Sequence, residues 1–159
     1  CVSSWVRTSD NAIPIRLKCG ANYQNGRLAR LQAKADGYDE PIFLNGRGRV
    51  AEGTGATLFM VRKGRLCTPT TSNDILESIT RTTLIEYVCP QVLGMEVVER
   101  DIDRTELYVA EEAFFCGSGY EITPILSIDR FGLGTGDVGP VTRRMPVTGS
   151  RCPWFPHTV

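Results

Sequence analysis

An α+β fold is predicted by the sequence, because it contains two hairpin signals and two separate helical repeats. Asn45-Gly46 and Lys63-Gly64 are each flanked by short apolar or β-branched segments, which is typical of a β-hairpin. Apolar side chains at helical spacing occur in two isolated stretches, one over residues 22–36 and one after Ser78. Successive hairpins with isolated helices favour an α+β architecture over a doubly wound parallel sheet.

The first third of the chain is predicted to contain one strand and one helix. Residues 2–7 have the composition of a strand. A turn of small residues at Cys19-Gly20-Ala21 then precedes a helix over residues 22–36, which Gly37 ends. The apolar positions of this helix are Leu28, Ala29, Leu31, Ala33 and Ala35.

Two hairpins are expected after this helix. Their strands are predicted at residues 41–44 with 49–51, and at residues 57–61 with 65–68. Ser78 then begins a second helix, which Pro90 disturbs near its end. One face of this helix is expected to carry Ile79, Thr83, Leu84, Tyr87 and Val88.

The remaining elements are predicted to be short. They are a strand over residues 95–102, a short helix over 104–110, and strands over 113–116 and 121–128. Three prolines and no helical repeat predict an irregular end to the chain. From its length of 159 residues, we expect one domain over residues 1–145 and an irregular Pro-rich tail over residues 146–159.

The composition argues against several classes of partner. Eighteen basic side chains balance eighteen acidic ones, so neither nucleic acid nor a membrane is expected, and a small-molecule partner is favoured. No apolar stretch approaches the roughly 20 residues that cross a bilayer. The six cysteines form no C-x-x-C pair and the single histidine is His157, so no metal site is expected. Free thiols in the predicted strands, at Cys67 and Cys116, fit a reducing cytoplasm.

Lys18 differs from the other two lysines in its surroundings. Lys34 lies on the predicted amphipathic helix and Lys63 in a hairpin turn, where solvated side chains are expected. Lys18 follows an apolar run and precedes Gly20. Such a segment could hold a desolvated amine of low pKa, which is suited to covalent catalysis on a carbonyl group.

Eight blocks of sequence carry a family resemblance. They are Lys18-Cys19-Gly20-Ala21-Asn22-Tyr23, Gly37-Tyr38-Asp39-Glu40, Ala51-Glu52-Gly53-Thr54-Gly55, Ile79-Thr80-Arg81, Asp103-Arg104-Thr105-Glu106-Leu107-Tyr108-Val109-Ala110-Glu111-Glu112, Cys116-Gly117-Ser118-Gly119, Glu121-Ile122-Thr123-Pro124 and Gly139-Pro140-Val141-Thr142-Arg143. In this order and at this spacing they resemble the branched-chain aminotransferases, which belong to the class IV (fold type IV) pyridoxal-phosphate-dependent aminotransferases. Several blocks in order are more specific than any single motif.

The resemblance implies a fold, a cofactor and partners. Residues 1–145 would form the large C-terminal domain of the D-amino acid aminotransferase-like, or branched-chain aminotransferase, fold. The implied cofactor is pyridoxal 5′-phosphate. Nothing here matches the family's smaller N-terminal domain or its phosphate-binding arginine, so we expect the N-terminal half of the same enzyme as a separate chain. Family members are typically homodimers, so a homo-oligomer is expected as well.

Three residues are assigned by the resemblance to the reactive part of the cofactor. Lys18 would hold its aldehyde as a Schiff base and then move the proton between the substrate α-carbon and the cofactor. Glu52 would keep the pyridine nitrogen protonated, and Tyr23 would bind the phenolate oxygen. Without the resemblance, Glu52 would be an ordinary loop carboxylate and Tyr23 a half-buried helix aromatic.

The phosphate is assigned to the start of the second helix and to a serine. Ile79 and Thr80 would bind it through backbone amides at the positive end of the helix dipole. Ser118 would bind it in place of the family's usual threonine, and Leu76 would be a further cofactor contact. On the residues alone, Ser78 and Thr80 could simply cap the helix. Ser78 also stands where the family usually has glycine.

The substrate carboxylate is assigned to Ser118 and Gly119. On the residues alone, Gly117-Ser118-Gly119 could be a plain turn between strands. Gly119 and Tyr120 depart from the family's commonest pair of small residues, which leaves the side-chain preference of the pocket open.

The implied activity is transamination of branched-chain or similar apolar L-amino acids with 2-oxoglutarate. The block over residues 103–112 favours this group over its relatives. Alternatives within the family are a D-amino acid or (R)-amine transaminase and an aminodeoxychorismate lyase. An alternative from another class is a non-catalytic half that needs a partner chain.

Overall fold

The computed structural model describes residues 1–145 of the chain. Its fold is α+β, as predicted. The strands are β1 (Val2–Val6), β2 (Ile42–Leu44), β3 (Thr57–Arg62), β4 (Arg65–Thr68), β5 (Val97–Glu99), β6 (Glu112–Gly117), β7 (Glu121–Ile125), β8 (Ser127–Ile128) and β9 (Phe131–Gly132). The α-helices are α1 (Gln24–Ala35), α2 (Ile79–Thr83) and α3 (Pro140–Arg143). Short 3-10 helices span Gly20–Tyr23, Thr71–Asn73 and Arg104–Val109, and a π-helix spans Leu84–Leu93. The predicted tail over residues 146–159 lies outside the described residues.

A five-stranded mixed sheet forms the centre of the domain. Its strand order is β5-β4-β3-β6-β7, with β4 and β5 parallel and the other neighbours antiparallel. The predicted hairpin of β3 and β4 is confirmed, since Lys63 and Gly64 both have positive φ angles, of 52° and 68°. Two successive residues with positive φ form the tight turn that matches the twist of antiparallel strands.

The first predicted hairpin forms only in part. The strand β2 pairs in parallel with β1, whereas the predicted return strand over residues 49–51 makes isolated bridges rather than a strand. Main-chain bonds still hold the return segment, since the Ala51 amide donates to Phe43 at 2.8 Å. The Val50 amide donates instead to Ile102 at 2.9 Å, so the segment is shared between two neighbours and forms no ladder of its own.

Alternate side chains of β3 bury into two different cores. Leu58 and Met60 belong to the cluster on one face of the sheet, and Phe59 and Val61 belong to the cluster on the other face. The Phe59 ring stacks on Phe114 of β6 with centroids 5.3 Å apart. A strand buried on both faces fixes its register firmly, and each fully buried side chain stabilises the fold by roughly 1.5–3 kcal/mol.

The second helix departs from the predicted face. Ile79 and Tyr87 are exposed, at 82% and 53%, although both were predicted to share one face with Leu84 and Val88, which are buried. The buried residues of α2 and of the helix that follows it are Thr80, Arg81, Leu84, Val88, Cys89 and Leu93. After α2 the chain continues as a π-helix that contains Pro90, and its i→i+5 bonding pattern changes which side chains share a face.

The last predicted elements are shorter than expected. The strand predicted over residues 95–102 is only Val97–Glu99, and the one over 121–128 splits into β7 and β8. The helix predicted over 104–110 is a 3-10 helix with an Asp103–Glu106 capping box. Cys67 and Cys116 are buried in the core as predicted. Among residues 1–145, no helix is long and apolar enough to cross a membrane.

Candidate active site

A cleft of about 260 Å³ lies at the end of the sheet where β3 begins and β6 ends. Five parts of the chain that are distant in sequence surround it: Arg7 and residues 15–23, 52–57, 76–79 and 117–119. The predicted site residues that line the cleft are Lys18, Tyr23, Glu52, Leu76, Ile79, Ser118 and Gly119. Thr80 is buried directly after Ile79 and does not line the cleft.

Lys18 is held on a loop that Asn22 fixes from below. The side-chain nitrogen Nδ2 of Asn22 donates to the carbonyl oxygens of Pro14 at 3.1 Å and Leu17 at 2.7 Å. The Lys18 side chain lines the cleft but is exposed. The expectation of a desolvated amine is therefore wrong for this structure. The neighbouring Leu17 and Cys19 are exposed as well, so this part of the loop does not bury the amine.

Tyr23 and α1 follow directly from this loop. Tyr23 ends the 3-10 helix Gly20–Tyr23 and is the N-cap of α1. Its side chain is 37% exposed and faces the cleft. The short 3-10 helix therefore connects the loop of Lys18 directly to the backbone of Tyr23.

Glu52 is the most deeply buried acid in the cleft. Its carboxylate forms an ion pair with Arg7, with Arg7 Nη2 2.8 Å from Glu52 Oε1, and the two side chains are only 9% and 8% exposed. The Leu76 amide donates to Glu52 Oε2 at 3.3 Å. Burial raises the pKa of Glu52 to about 7, against the opposing influence of Arg7 and the Leu76 amide. The carboxyl group can therefore gain or lose a proton near neutral pH.

Arg7 is a site residue that the sequence reasoning missed. Besides the ion pair, its Nη1 donates to the carbonyl oxygen of Asn22 at 3.1 Å. The guanidinium thus links Glu52 to the loop that carries Lys18. The available signal was a charged side chain at the end of a predicted strand, but nothing local identifies its partner 45 residues away.

The start of α2 forms one wall of the cleft. Ser78 is its N-cap, and its hydroxyl accepts a bond from the Arg81 amide at 3.3 Å. Ser78 therefore does cap the helix, which was the simpler of the two interpretations. The cap occupies only one of the first amides, and the helix geometry leaves those of Ile79 and Thr80 without an intrahelical acceptor.

A tight turn between β6 and β7 forms the opposite wall. The Tyr120 amide donates to the Gly117 carbonyl oxygen at 3.1 Å, and Ser118 and Gly119 are exposed at the tip. A Cβ atom on Gly117 would lie 3.2 Å from the Gly55 carbonyl oxygen. The absence of a side chain at Gly117 therefore permits two backbone segments to approach closely at the cleft.

Tyr120 packs behind this wall. Its hydroxyl lies 3.1 Å from the Thr54 hydroxyl, which also bonds to Glu40. The ring lies beside Gly55, where an added Cβ would be 3.5 Å from Tyr120 Cε2. Burial raises the pKa of Tyr120, so the phenol stays neutral. The large residue at this position thus belongs to a polar network at the rim.

Two buried polar atoms in the cleft have no hydrogen-bond partner among the described residues. They are Asn22 Oδ1 and Thr57 Oγ1, and both residues line the cleft. A buried acceptor or hydroxyl without a partner costs roughly 1–3 kcal/mol. The Lys18 amine, the Glu52 carboxyl and the Ser118 hydroxyl belong to residues that line the cleft, which makes it suited to a polar ligand with several hydrogen-bonding groups.

Comparisons with known proteins agree on one family. The sequence model of the family described as amino-transferase class IV matches residues 1–128. A probable branched-chain-amino-acid aminotransferase of Aquifex aeolicus is 44% identical over 144 residues, which are 91% of this chain and 46% of that protein. The chain thus spans about half the length of the curated relatives it matches.

Solved structures of the same group superpose closely. The branched-chain amino acid aminotransferase from Thermobaculum terrenum in PLP-form is 53% identical with a TM-score of 0.87, over 91% of this chain and 47% of that one. The branched-chain aminotransferase from the thermophilic archaeon Thermoproteus uzoniensis, solved with norvaline, is 44% identical with a TM-score of 0.84, over 90% of this chain and 46% of that one.

Proposed function

The chain belongs to the class IV aminotransferase family, and from this premise we propose that it carries most of the pyridoxal-phosphate site of a branched-chain-type aminotransferase. The observation that carries the proposal is the convergence of Lys18, Tyr23, Glu52 and Ser118, which come from three segments distant in sequence, on one cleft. The proposed reaction is transamination between a branched-chain or similar apolar L-amino acid and 2-oxoglutarate.

The residues of the cleft fit pyridoxal 5′-phosphate. An amine, a buried carboxyl group, a phenol and an anion-binding wall are the four protein groups that this cofactor requires. When bound, the cofactor supplies an electron sink for the carbanion that forms when the substrate α-carbon loses its proton.

Lys18 would transfer protons, and the Arg7–Glu52 pair would control protonation of the cofactor. In this proposal the Lys18 amine holds the cofactor and, once the substrate displaces it, removes the proton from the substrate α-carbon. Glu52 keeps a proton at the pyridine nitrogen, for which a carboxyl with a pKa of about 7 is suited. Arg7 fixes the Glu52 carboxylate and favours its charged form. The Tyr23 hydroxyl would bind the phenolate oxygen.

The anionic groups would bind at the two walls of the cleft. The amides of Ile79 and Thr80, with the hydroxyl of Ser118, would hold the phosphate. The backbone of Ser118 and Gly119 would hold the substrate α-carboxylate. Leu76 would contact the cofactor ring, and its amide already bonds to Glu52.

The proposal extends to partners and compartment. Leu28 and Leu31 on α1 are exposed, at 48% and 58%, beside Trp5 at 37%, and these apolar side chains support a protein partner on this face. We assign that role to the N-terminal half of the same enzyme, within a homo-oligomer. A mass spectrum of the purified material that shows only a species of this chain's mass would contradict a separate half. The free thiols at Cys67, Cys89 and Cys116 support a reducing cytoplasm.

An alternative function is a non-catalytic half or subunit that needs a partner chain. The exposure of Lys18 favours it, because a catalytic lysine is usually desolvated. The alternative predicts that this chain alone binds the cofactor weakly and that adding the missing half restores binding.

A single-turnover experiment tests the activity. The cofactor-loaded protein is mixed with L-leucine, and release of the matching 2-oxo acid is measured without a second substrate. We expect stoichiometric release with L-leucine, little with D-leucine, and none with Lys18→Ala. Equal release from both enantiomers would contradict the proposed substrate, and release by Lys18→Ala would contradict the role of Lys18.

A further inference from the structure

A second cavity lies at the other end of β3 from the cleft. The cleft adjoins Thr57, where β3 begins, whereas this cavity adjoins Arg62, where β3 ends. Its volume is about 260 Å³, which is below the roughly 300–1,000 Å³ of pockets for drug-sized ligands and suits a smaller one. The charged residues that line it are the cations Arg62, Lys63, Arg65 and Arg100 and the acid Glu106. The cavity therefore carries an excess of positive charge.

Two arginines of this cavity oppose each other across the β3–β4 hairpin. Arg62 and Arg65 are direct partners in the antiparallel register, so their side chains share one face, with Cβ atoms about 4.5–5.5 Å apart. Neither guanidinium makes a hydrogen bond or an ion pair with any other of residues 1–145. Like charges that are directly opposed destabilise a strand pair. The hairpin thus carries an electrostatic cost that no direct partner among these residues offsets.

Two acids at this end of the sheet are already engaged by other groups. Glu106 accepts two hydrogen bonds from Arg100, at 2.8 and 2.7 Å. The Glu111 carboxylate accepts the main-chain amides of Lys63 at 2.6 Å and Gly64 at 3.0 Å, and so it stabilises the hairpin turn. Their carboxylate oxygens are bonded to these groups and not to the two opposed arginines. The charge of these arginines is therefore available to an anion.

We propose that this cavity binds a phosphoryl group, either as inorganic phosphate or as the phosphate of a small ester. A guanidinium presents its N–H donors as a planar fork that matches the oxygens of a phosphate. Two such forks on adjacent strands need several acceptors at one point. A phosphoryl group offers three oxygens there, whereas a carboxylate offers two.

The surroundings of the two arginines fit this ligand. Arg65 is exposed and Arg62 is partly buried, so an anion can enter from solvent and still contact both. Lys63, in the turn between them, adds a third cation to the cavity. The site is separate from the cleft, so the inference does not rest on the proposed function.

Isothermal titration calorimetry with inorganic phosphate tests the site in the complete protein. The protein is first loaded with pyridoxal 5′-phosphate and freed of unbound cofactor, so that the cleft is filled. The variants are Arg62→Gln and Arg65→Gln. The matched control is Lys34→Gln, which removes an exposed cation of α1 that does not line the cavity. Succinate is a second probe, because it divides a similar charge between two carboxylates, and glycerol 3-phosphate is a third, because it is an ester.

The wild type and Lys34→Gln should bind phosphate at one site with equal affinity. Arg62→Gln and Arg65→Gln should each raise the dissociation constant of phosphate about tenfold to a hundredfold, because hydrogen bonds to a charged group are lost. Succinate should bind the wild type more weakly than phosphate does. Glycerol 3-phosphate that binds more tightly than phosphate would identify an ester as the ligand, and equal or weaker binding would identify the free anion.

Thermal unfolding checks the charge argument independently. In buffer without phosphate, Arg65→Gln should raise the midpoint of unfolding by about 1–4 °C, because one of two opposed like charges is removed. Added phosphate should then raise the midpoint of the wild type more than that of Arg65→Gln, since a ligand stabilises the state that binds it.

Three results would overturn the inference. If both arginine variants bind phosphate as tightly as the wild type, phosphate binds elsewhere. If succinate binds as tightly as phosphate, the cavity does not select a phosphoryl group. If Arg65→Gln lowers the midpoint in buffer without phosphate, the arginine stabilises the hairpin by itself. Failure to load the cofactor would contradict the proposed function alone, and the same titration of the cofactor-free protein would still test the cavity.

Discussion

Arg7 Nη2 lies 2.8 Å from Glu52 Oε1, and both side chains are at least nine-tenths buried. The pair joins the end of β1 to the loop before β3, and a further bond from Arg7 to the Asn22 carbonyl oxygen reaches the loop of Lys18. Burial raises the pKa of Glu52, whereas pairing with Arg7 lowers it. The first two predictions depend on this balance.

The stability of the cofactor-free protein should fall as the pH rises from about 5 to about 8. The pKa of Glu52 is raised from 4.5 to about 7 in the folded state, so between these values the folded state binds more protons than the unfolded state. The unfolding free energy therefore decreases with pH through this window, by on the order of 3 kcal/mol. Urea unfolding at the two pH values checks this.

Glu52→Gln should abolish that part of the pH dependence, because the amide does not titrate. The matched control is Glu77→Gln, which changes an exposed carboxylate paired with Arg16 and should leave the dependence intact. If the unfolding free energy of Glu52→Gln decreases with pH as steeply as that of the wild type, another group titrates.

Arg7→Met should strongly destabilise the protein. Removing one partner leaves the Glu52 carboxyl buried without its cation, which typically costs about 3–5 kcal/mol and raises the carboxyl pKa further. Arg7→Lys should cause an intermediate loss of unfolding free energy, because it keeps the charge but lacks the planar guanidinium that bonds to Glu52 and Asn22. The control is Arg16→Met, whose half-exposed ion pair with Glu77 should contribute no more than about 1 kcal/mol. Equal losses in Arg7→Met and Arg16→Met, measured by urea unfolding, would contradict the importance of the buried pair.

Ser118→Ala should weaken the binding of pyridoxal 5′-phosphate by about tenfold to a hundredfold, because a hydrogen bond to a charged group is lost. Ser118→Thr should bind as the wild type does. Pyridoxal lacks the phosphate, so its affinity should be the same in all three proteins. If Ser118→Ala lowers the affinity for both ligands equally, Ser118 does not bind the phosphate.

Glu112→Gln should loosen the attachment of α3. The buried Glu112 carboxylate accepts bonds from the Val141 amide at 3.0 Å, the Thr142 amide at 2.8 Å and the Thr142 hydroxyl at 2.8 Å. A glutamine offers only one accepting oxygen, so we expect a loss of about 1–3 kcal/mol in the free energy of unfolding. Thr83→Val removes an exposed hydroxyl bond to Ile79 and should change the stability by no more than about 0.5 kcal/mol. If Glu112→Gln is as stable as Thr83→Val, Glu112 does not hold α3 in the way that we describe.

Local signals predicted most of the fold. Lys63-Gly64 specifies its hairpin because two residues with positive φ suffice to reverse the chain. The helix after Tyr23 was predicted because its apolar repeat is contained in one segment. The π-helix after α2 was not predicted, because its apolar repeat resembles that of an α-helix and Pro90 indicated only a disturbance near the end.

The candidate site was predicted in part. Motif order identified Lys18, Glu52 and Ser118, and the structure brings these residues into one cleft. Arg7 was missed because its role depends on a contact that the sequence does not encode locally. The bond of Arg7 to Glu52 spans 45 residues.

The most direct test of the central claim is borohydride reduction of the cofactor-loaded protein, followed by peptide mapping of the adduct by mass spectrometry. We predict a visible absorption band that reduction removes and a cofactor mass fixed on the peptide that contains Lys18, with no adduct at Lys34 or Lys63. An adduct on another lysine, or no band even after cofactor is added to the complete protein, would contradict the assignment of this cleft as a pyridoxal-phosphate site.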